Sequence, residues 1–426
     1  MRNTTTRLNG DYWRQMALIG LLFFIFGFVT WLNGSLIPFL KLACDLKYEW
    51  QALLVTLAFY LSYFFLALPS SAILSRTGFK DGMALGLLVM AVGCLVFIPA
   101  AKTRVYDLFL AGLFVQGMGL SILQTAVNPY VSIIGPLESA AQRISIMGIC
   151  NKVAGILSPI VLSSIVLHGA KEIEAQVNAV ADAAEKAQLL DALAARAIPP
   201  YIAMAVVLAL LALFIRRSSL PDINPAAQEA SDASLPYESR TLWEFPHLWL
   251  GALAIFFYVG AEVMAGDGIV LYGRFLGFDL DQTKYFTSLT LSGMLLGYLL
   301  SIALIPRFLS QEAFLRYSAL LGLALSAGAY FTTGTQALTC VALLGLANAV
   351  MWPAIFPLAI RGLGRLTQVG SALLIMGIAG GALLPQLYGF LAEHPEAGPR
   401  VALQAVLLPA YAYIFYYGWI GHKAGP

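Results

Sequence analysis

Charge is what this chain has least of: 11% of its 426 residues are Asp, Glu, Lys or Arg, against 59% hydrophobic. A soluble domain of this length carries roughly 25% charged residues, and a mean hydropathy of +0.79 places the chain in a bilayer instead. The net charge of +2 comes from basic residues set singly in loops, which leaves no patch for nucleic acid. Cysteine and histidine are equally scarce, four of each. Cys44, Cys94, Cys150 and Cys340 have no Cys-x-x-Cys or Cys/His spacing, so neither a disulfide framework nor a zinc site is indicated, and they read as small hydrophobes. His168, His247, His394 and His422 fall near span ends or in loops, and no nucleophile elbow or metal-ligand spacing is present. That argues against a membrane-embedded enzyme, and no metal or cofactor is expected. Nothing resembles a selectivity filter or a repeated charged ring, so the case for a channel fails too.

What is present in quantity is long apolar runs. About twelve stretches reach the ~20 residues a bilayer-spanning helix needs. They begin near residues 17, 51, 82, 105, 143 and 200, and again near 247, 285, 313, 335, 366 and 399. The two sets are copies of one another. Phe23-Phe24-Ile25-Phe26-Gly27 is echoed 233 positions later by Phe256-Phe257-Tyr258-Val259-Gly260, and Ile146-Met147-Gly148-Ile149 recurs after 229 positions as Ile375-Met376-Gly377-Ile378. Gly117 and Pro129 find Gly345 and Pro357 at an offset of 228. Matches in one order at nearly one offset mark a duplicated membrane half, an architecture of many secondary transporters. The expected fold is therefore all-α: twelve transmembrane helices in two pseudosymmetric six-helix bundles, 1–216 and 245–426, joined by a linker at 217–244.

The linker is polar and holds Pro221, Pro225 and Pro236. A second insertion, 169–199, is rich in Ala, Glu and Lys and reads as an amphipathic, helical outer loop. Ser75-Arg76-Thr77-Gly78-Phe79-Lys80 reads as a tight basic turn between the second and third spans. The first apolar run follows Arg2, Arg7 and Arg14, is too long for a signal peptide and lacks a small-residue cleavage site, so an uncleaved first helix is expected. With the N-terminus inside, fifteen of the 25 Lys and Arg face inward, which favours both termini in the cytoplasm.

Polar groups inside apolar spans are costly unless they face a cavity or a partner, so they are the site candidates. In the first span Thr30 and Asn33 share a face with Phe26, and Gly34 and Pro38 follow to loosen the helix. The fourth span carries Gly117, Ser121, Gln124 and Asn128 on one continuous face. Carboxamides both donate and accept, which suits the hydroxyls of a neutral sugar better than a charged ligand; helix-to-helix bonding is the plainer alternative. Asn151 is a further candidate in the fifth span, while the neighbouring Lys152, taken to lie near the cytoplasmic end, either snorkels to the interface or forms a buried ion pair.

The seventh span holds Glu262 and Asp267, two carboxylates at a cost of roughly 2.5–3.5 kcal/mol each at mid-membrane. Five residues apart, they point about 140° from each other on an ideal helix unless a break at Gly266 and Gly268 reorients Asp267. They are the candidates for coupling to an ion. The alternatives are an ion pair of Glu262 with Lys152 or another base, and a place for Asp267 at the outer water interface. Registering the halves on Gly27 and Gly260 puts Asp267 opposite Gly34, next to Asn33. In the tenth span Asn348 and Trp352 share a face, and Trp352 registers with Gln124; its ring either stacks on a pyranose or packs in the core. Gln386 and Tyr388, after Pro385, are weaker candidates.

These residues resemble the major facilitator superfamily, and within it the fucose:proton symporter family with its glucose/galactose and N-acetylglucosamine branches. The resemblance spans nearly the whole chain and rests on FGFVTWLNGSLIPFLK (26–41), GMGLSILQTAVNPYVSIIGP (117–136), AQRISIMGICNKVAG (141–155), FYVGAEV (257–263), WPAIFPLAIRGLG (352–364) and ALLIMGIAGGALLPQLYG (372–389). It implies a multi-pass transporter of a bacterial inner membrane, with a small-molecule sugar substrate and no obligate protein partner. Fucose-type members place an Asp directly after the first-span Asn, a Glu in the fourth-span stripe and a Gln in the fifth span. This chain has Gly34, Gln124 and Gly148 there, none of which titrates, so the fucose-type proton relay does not carry over and L-fucose is disfavoured. FYVGAEV points to the glucose/galactose and aminosugar branches. The expectation is import of a neutral hexopyranose, glucose or galactose first and N-acetylglucosamine as an alternative. Coupling is to H+ or Na+, with a uniporter of the same fold as the other alternative. Asn33, Gln124, Asn128, Asn151 and Trp352 are expected to bind the sugar, and Asp267 with Glu262 to bind the ion. A multidrug exporter of the superfamily would favour a large apolar pocket, and the Gln/Asn stripe argues against it.

Overall fold

Without water to satisfy the backbone, apolar chain in a bilayer must fold as helix or closed barrel. The computed structural model describes residues 2–133, 140–218, 220, 241–305, 308–363 and 366–424, all helix or short connection. The expected linker lies mostly outside the described residues, as do three of the bases counted as inward, Arg240, Arg307 and Arg365.

Eleven described helices are long and apolar enough to cross a membrane. One of them, Leu54–Thr103, is two spans merged, because Gly78 at φ +77° breaks its helical backbone in the middle of the expected basic turn. The described residues therefore supply twelve membrane-capable spans. Span 1 is Arg2–Thr30 continued by Asn33–Ala43; spans 2 and 3 are the two arms of Leu54–Thr103; spans 4, 5 and 6 are Tyr106–Ile133, Ala140–Val166 and Ile198–Arg217. Span 7 is Pro246–Gly266 with Ile269–Phe275, and spans 8 and 9 are Phe286–Leu304 and Gln311–Phe331. Span 10 is Gly334–Asn348 with Met351–Ala359, span 11 runs from Thr367–Met376 into Gly380–Ala392, and span 12 is Gly398–Trp419. Twelve crossings return the chain to the side where it began. We call that side the terminus face and the other the far face.

The duplication reappears in the packing. At Gly27 an added Cβ would lie 2.1 Å from the Asn151 carbonyl oxygen, so spans 1 and 5 touch backbone to backbone. The residues 229 positions on, Phe256 and Gly380, make the same crossing between spans 7 and 11, with the glycine now on the other partner, where an added Cβ would lie 1.8 Å from the Phe256 carbonyl oxygen. Gly117 against Phe59 and Ser62, and Gly345 against Thr290, repeat likewise at an offset of 228. In lipid, where apolar surface alone gives helices no reason to associate, such small-residue crossings hold bundles together. Larger apolar side chains face outward, as with Ile202, Val206, Leu210 and Phe214 along span 6.

The 169–199 loop forms two helices, Ala170–Ala179 and Ala183–Ala195, on the far face. The second is tied to the first six spans by Lys186–Asp45 at 2.8 Å and Arg104–Asp191 at 2.7 Å. The first reaches over to the last six through Glu174–Arg274 at 2.6 Å and Lys171–Asp279 at 3.4 Å. Nearby, Gln386 donates to the Trp50 carbonyl at 3.0 Å and the Glu49 amide bonds Glu393, so spans 2 and 11 are joined at the same face. The far side is shut.

Candidate functional site

Three spans have their regular helical hydrogen bonding interrupted near mid-length, with the dihedrals there still in the right-handed helical region. Span 1 breaks at residues 31–32, span 7 at 267–268 and span 10 at 349–350. Irregular backbone at this depth is tolerated where it lines a cavity or is buried in protein. The cavity lies below these breaks, between the two sets of six spans, and encloses about 810 Å³ including its mouth.

Trp31 forms the roof. Its ring sits where a Cβ on Gly155 of span 5 or on Gly266 of span 7 would be, 2.5 and 2.4 Å away, so only glycines at these two positions let the indole seal the gap between the halves. Lys152 Nζ lies 4.5 Å from the Trp31 ring centre, a cation–π contact, and 3.0 Å from Glu262 Oε1. Both side chains line the cavity and are nearly buried, at 7% and 11% exposure. Lys152 therefore does not snorkel. It stands in the middle of span 5, and the expected place near a cytoplasmic end gives way to the buried ion pair that was the alternative. Among the described lining residues, Lys152 and Glu262 are the only charged side chains, and they form a neutral pair.

Below the roof the lining is mostly carboxamide and aromatic. Gln124, Asn128, Asn151 and Trp352 all face the cavity, with Thr30 and Phe26 of span 1. Gln124 Nε2 donates to the Tyr63 hydroxyl at 2.8 Å, which fixes its carboxamide and leaves Oε1 available. Asn151 Nδ2 is buried with no hydrogen-bond partner, a donor left unpaired in a residue that lines the cavity. Trp352 stacks on Phe356 with centroids 5.5 Å apart, half-buried, one ring packed and the other facing the cavity. The span 4 stripe divides: Gly117 packs on span 2 and Ser121 is wholly buried, whereas Gln124 and Asn128 reach the cavity.

The remaining expected residues lie elsewhere. Asn33 is fully buried beyond the Trp31 break, and neither its amide nitrogen nor its oxygen has a hydrogen-bond partner. Asp267 is also fully buried, at the span 7 break and not at a water interface; its backbone amide still closes the helix onto Val263 at 2.7 Å. The Tyr60 hydroxyl lies within electrostatic reach of both Asp267 and Glu262. Asn348 is buried behind the wall and accepts from Tyr411 at 2.9 Å. Gln386 belongs to the far-face seam, and Tyr388 is buried away from the cavity.

Sequence reasoning missed the tyrosines. Tyr60, Tyr63, Tyr258 and Tyr298 all line the cavity. The chain has 19 tyrosines, and one in an apolar span gives no sign of which way it faces. Gly148 gains meaning here: an added Cβ would meet the Tyr298 ring at 3.1 Å, so that ring holds the space a longer side chain would need.

The sequence profile described as Major Facilitator Superfamily matches residues 19–385. A glucose/galactose transporter of Brucella abortus is 36% identical over 99% of this chain and 97% of its own length. An L-fucose-proton symporter of Escherichia coli is 29% identical over 95% and 93%. Among solved structures, a transporter of the superfamily called FucP, in its outward conformation, superposes with a TM-score of 0.74 at 27% identity, over 96% of this chain and 99% of that one. The all-helical architecture is that of this superfamily, and its members are transporters rather than enzymes. The chain belongs to the Major Facilitator Superfamily, in the group that the glucose/galactose transporters share with the L-fucose-proton symporters.

Proposed function

We propose that this protein imports a neutral hexopyranose, glucose or galactose, together with a proton, by alternating access. The observation that carries this is a cavity between the halves where, among the described residues, the charges cancel at 3.0 Å and carboxamides and aromatic rings make up most of the remaining lining. A charged substrate would meet no net counter-charge there, whereas sugar hydroxyls find donors and acceptors and a pyranose face finds Trp352. The glucose/galactose name of the Brucella abortus relative supports the sugar, and the proton coupling named for the Escherichia coli relative supports the ion.

In this reading Gln124, Asn128, Asn151 and Trp352 hold the sugar, and Asn33 joins them when the upper part of span 1 moves. Glu262 takes the proton, and Asp267, sealed above the roof, is the second carboxylate of the path. Residues 1–216 and 245–426 rock about the site, the linker and both termini lie in the cytoplasm, and the membrane is a bacterial inner membrane. The shut far face then makes this state the inward one. The test is uptake of labelled glucose, galactose, N-acetylglucosamine and fucose into proteoliposomes under a proton gradient, a sodium gradient or none. Accumulation of glucose or galactose under the proton gradient alone is expected. N-acetylglucosamine accumulation would move the protein to the aminosugar branch, and equilibration without accumulation would make it a uniporter.

A further inference from the structure

Among the described residues, Lys152–Glu262 is the one ion pair within the spans that joins the first six to the last six. The other cross-half pairs, Glu174–Arg274 and Lys171–Asp279, sit on the far face. Lys152 has a second partner, the Trp31 ring, and that partner belongs to its own half. When the far side opens, Lys152 and Trp31 leave together and Glu262 goes with span 7. The groups that stay near Glu262 are tyrosines of its own half: Tyr258 on its own helix, Tyr298 of span 8 and Tyr411 of span 12, while Tyr60 of span 2 leaves with Lys152. None of them supplies a positive charge. A carboxylate left in that apolar, tyrosine-lined wall has lost its counter-charge, and an unpaired buried charge is costly.

Resting on the assignment of Glu262 as the proton site, we infer that Lys152 is the internal cation that displaces the proton from Glu262 as the far side closes. The proton leaves the carboxyl for the water of the cavity, and the lysine takes its place as the counter-charge. The order gives import its direction: Glu262 loads while Lys152 is away and unloads when Lys152 returns. By reciprocity, acid favours the far-open state to the same degree that closure favours release. Lys152 is thus a positioning residue, acting on sugar through Glu262.

The test reads conformation, not transport. Leu53 is fully buried and packs at the far-face seam beside Gly389. In a chain whose four native cysteines are replaced, Leu53→Cys reports far-side opening through its labelling rate with a membrane-impermeant maleimide in proteoliposomes. Corrected for maleimide reactivity, labelling is expected to rise severalfold from pH 8 to pH 6. Lys152→Gln and Glu262→Gln should each abolish that pH dependence, and Lys152→Arg should keep it. The double variant Lys152→Gln/Glu262→Gln leaves no unpaired buried charge to hinder folding, and should be pH-insensitive as well. Gln386→Cys, across the same seam, serves where Leu53→Cys does not fold. A merely structural lysine would lower yield and leave the pH dependence in place; Lys152→Gln retaining the parent's dependence overturns the inference. The parent responding as described without accumulating hexose under a proton gradient would refute the transport reading and leave this one standing.

Discussion

Replacing Gly27 with alanine tests both the duplicated packing and its bearing on the site. The new methyl would lie 2.1 Å from the Asn151 carbonyl oxygen and 2.7 and 2.8 Å from its carbonyl carbon and Cα. Non-bonded carbons settle at about 3.5–4.0 Å. Backbone cannot rotate away as a side chain can, so spans 1 and 5 must part by about 1 Å. Overpacking of this kind costs about 1–3 kcal/mol, or about fivefold to more than a hundredfold in the unfolding equilibrium at about 1.4 kcal/mol per factor of ten. The same displacement carries the Asn151 carboxamide out of register with the cavity, so the KM for hexose should rise. Gly20→Ala, two turns earlier on the same helix, is the control: its methyl would stand 3.6 Å from Cys150 Sγ, an ordinary contact. Reversible unfolding in mixed detergent measures the first effect and uptake kinetics the second. Gly380→Ala, whose methyl would lie 1.8 Å from the Phe256 carbonyl oxygen, should behave like Gly27→Ala. If Gly27→Ala is as stable as Gly20→Ala and transports with an unchanged KM, the close crossing is not what holds these spans.

Other outcomes follow from single contacts. Tyr63→Phe removes the acceptor of the 2.8 Å bond from Gln124; losing a bond worth about 0.5–1.5 kcal/mol should raise the hexose KM severalfold while kcat changes less, as steady-state uptake will show. Glu174→Arg sets two positive charges together on the far face at a site about one-third exposed, where a pair is worth about 0.2–1 kcal/mol. Far-side cysteine labelling should quicken modestly, and Glu174→Arg/Arg274→Glu should restore it. Asn33 is buried with neither end of its amide bonded, at a desolvation cost of about 1–3 kcal/mol. Asn33→Leu should therefore leave thermal stability unchanged or higher while lowering transport, and a large loss of stability would mean the amide is a structural partner.

Much of the fold was legible because the bilayer limits the choices. Run length fixes the spans, and the offsets near 230 that relate Gly27 to Gly260 also relate the Gly27–Asn151 crossing to Phe256–Gly380. The break beside Gly266 and Gly268 was readable as well, since two glycines flank an acid in an apolar span. Which polar groups share a cavity was less so. Gln124 and Asn128 reach it while Gly117 and Ser121 of the same stripe serve packing, because a long helix crossed by span 2 turns only part of one face to the centre. Lys152 and Glu262 are 110 positions apart on spans that the chain does not connect directly, so only tertiary structure could choose between snorkelling and pairing. Trp31 was unreadable as a roof, since its place depends on glycines in two other spans.

Proton-coupled hexose import is tested most directly by the proton itself. In a weakly buffered suspension of proteoliposomes with no gradient imposed and potassium and valinomycin to clamp the potential, a pulse of galactose or glucose is followed with an external pH electrode. Symport through Glu262 predicts prompt alkalinisation outside on adding sugar, abolished by an uncoupler and absent in Glu262→Gln even though that variant still exchanges labelled sugar. Entry of the sugar with no change in external pH would contradict it and leave Lys152–Glu262 as a structural pair in a uniporter.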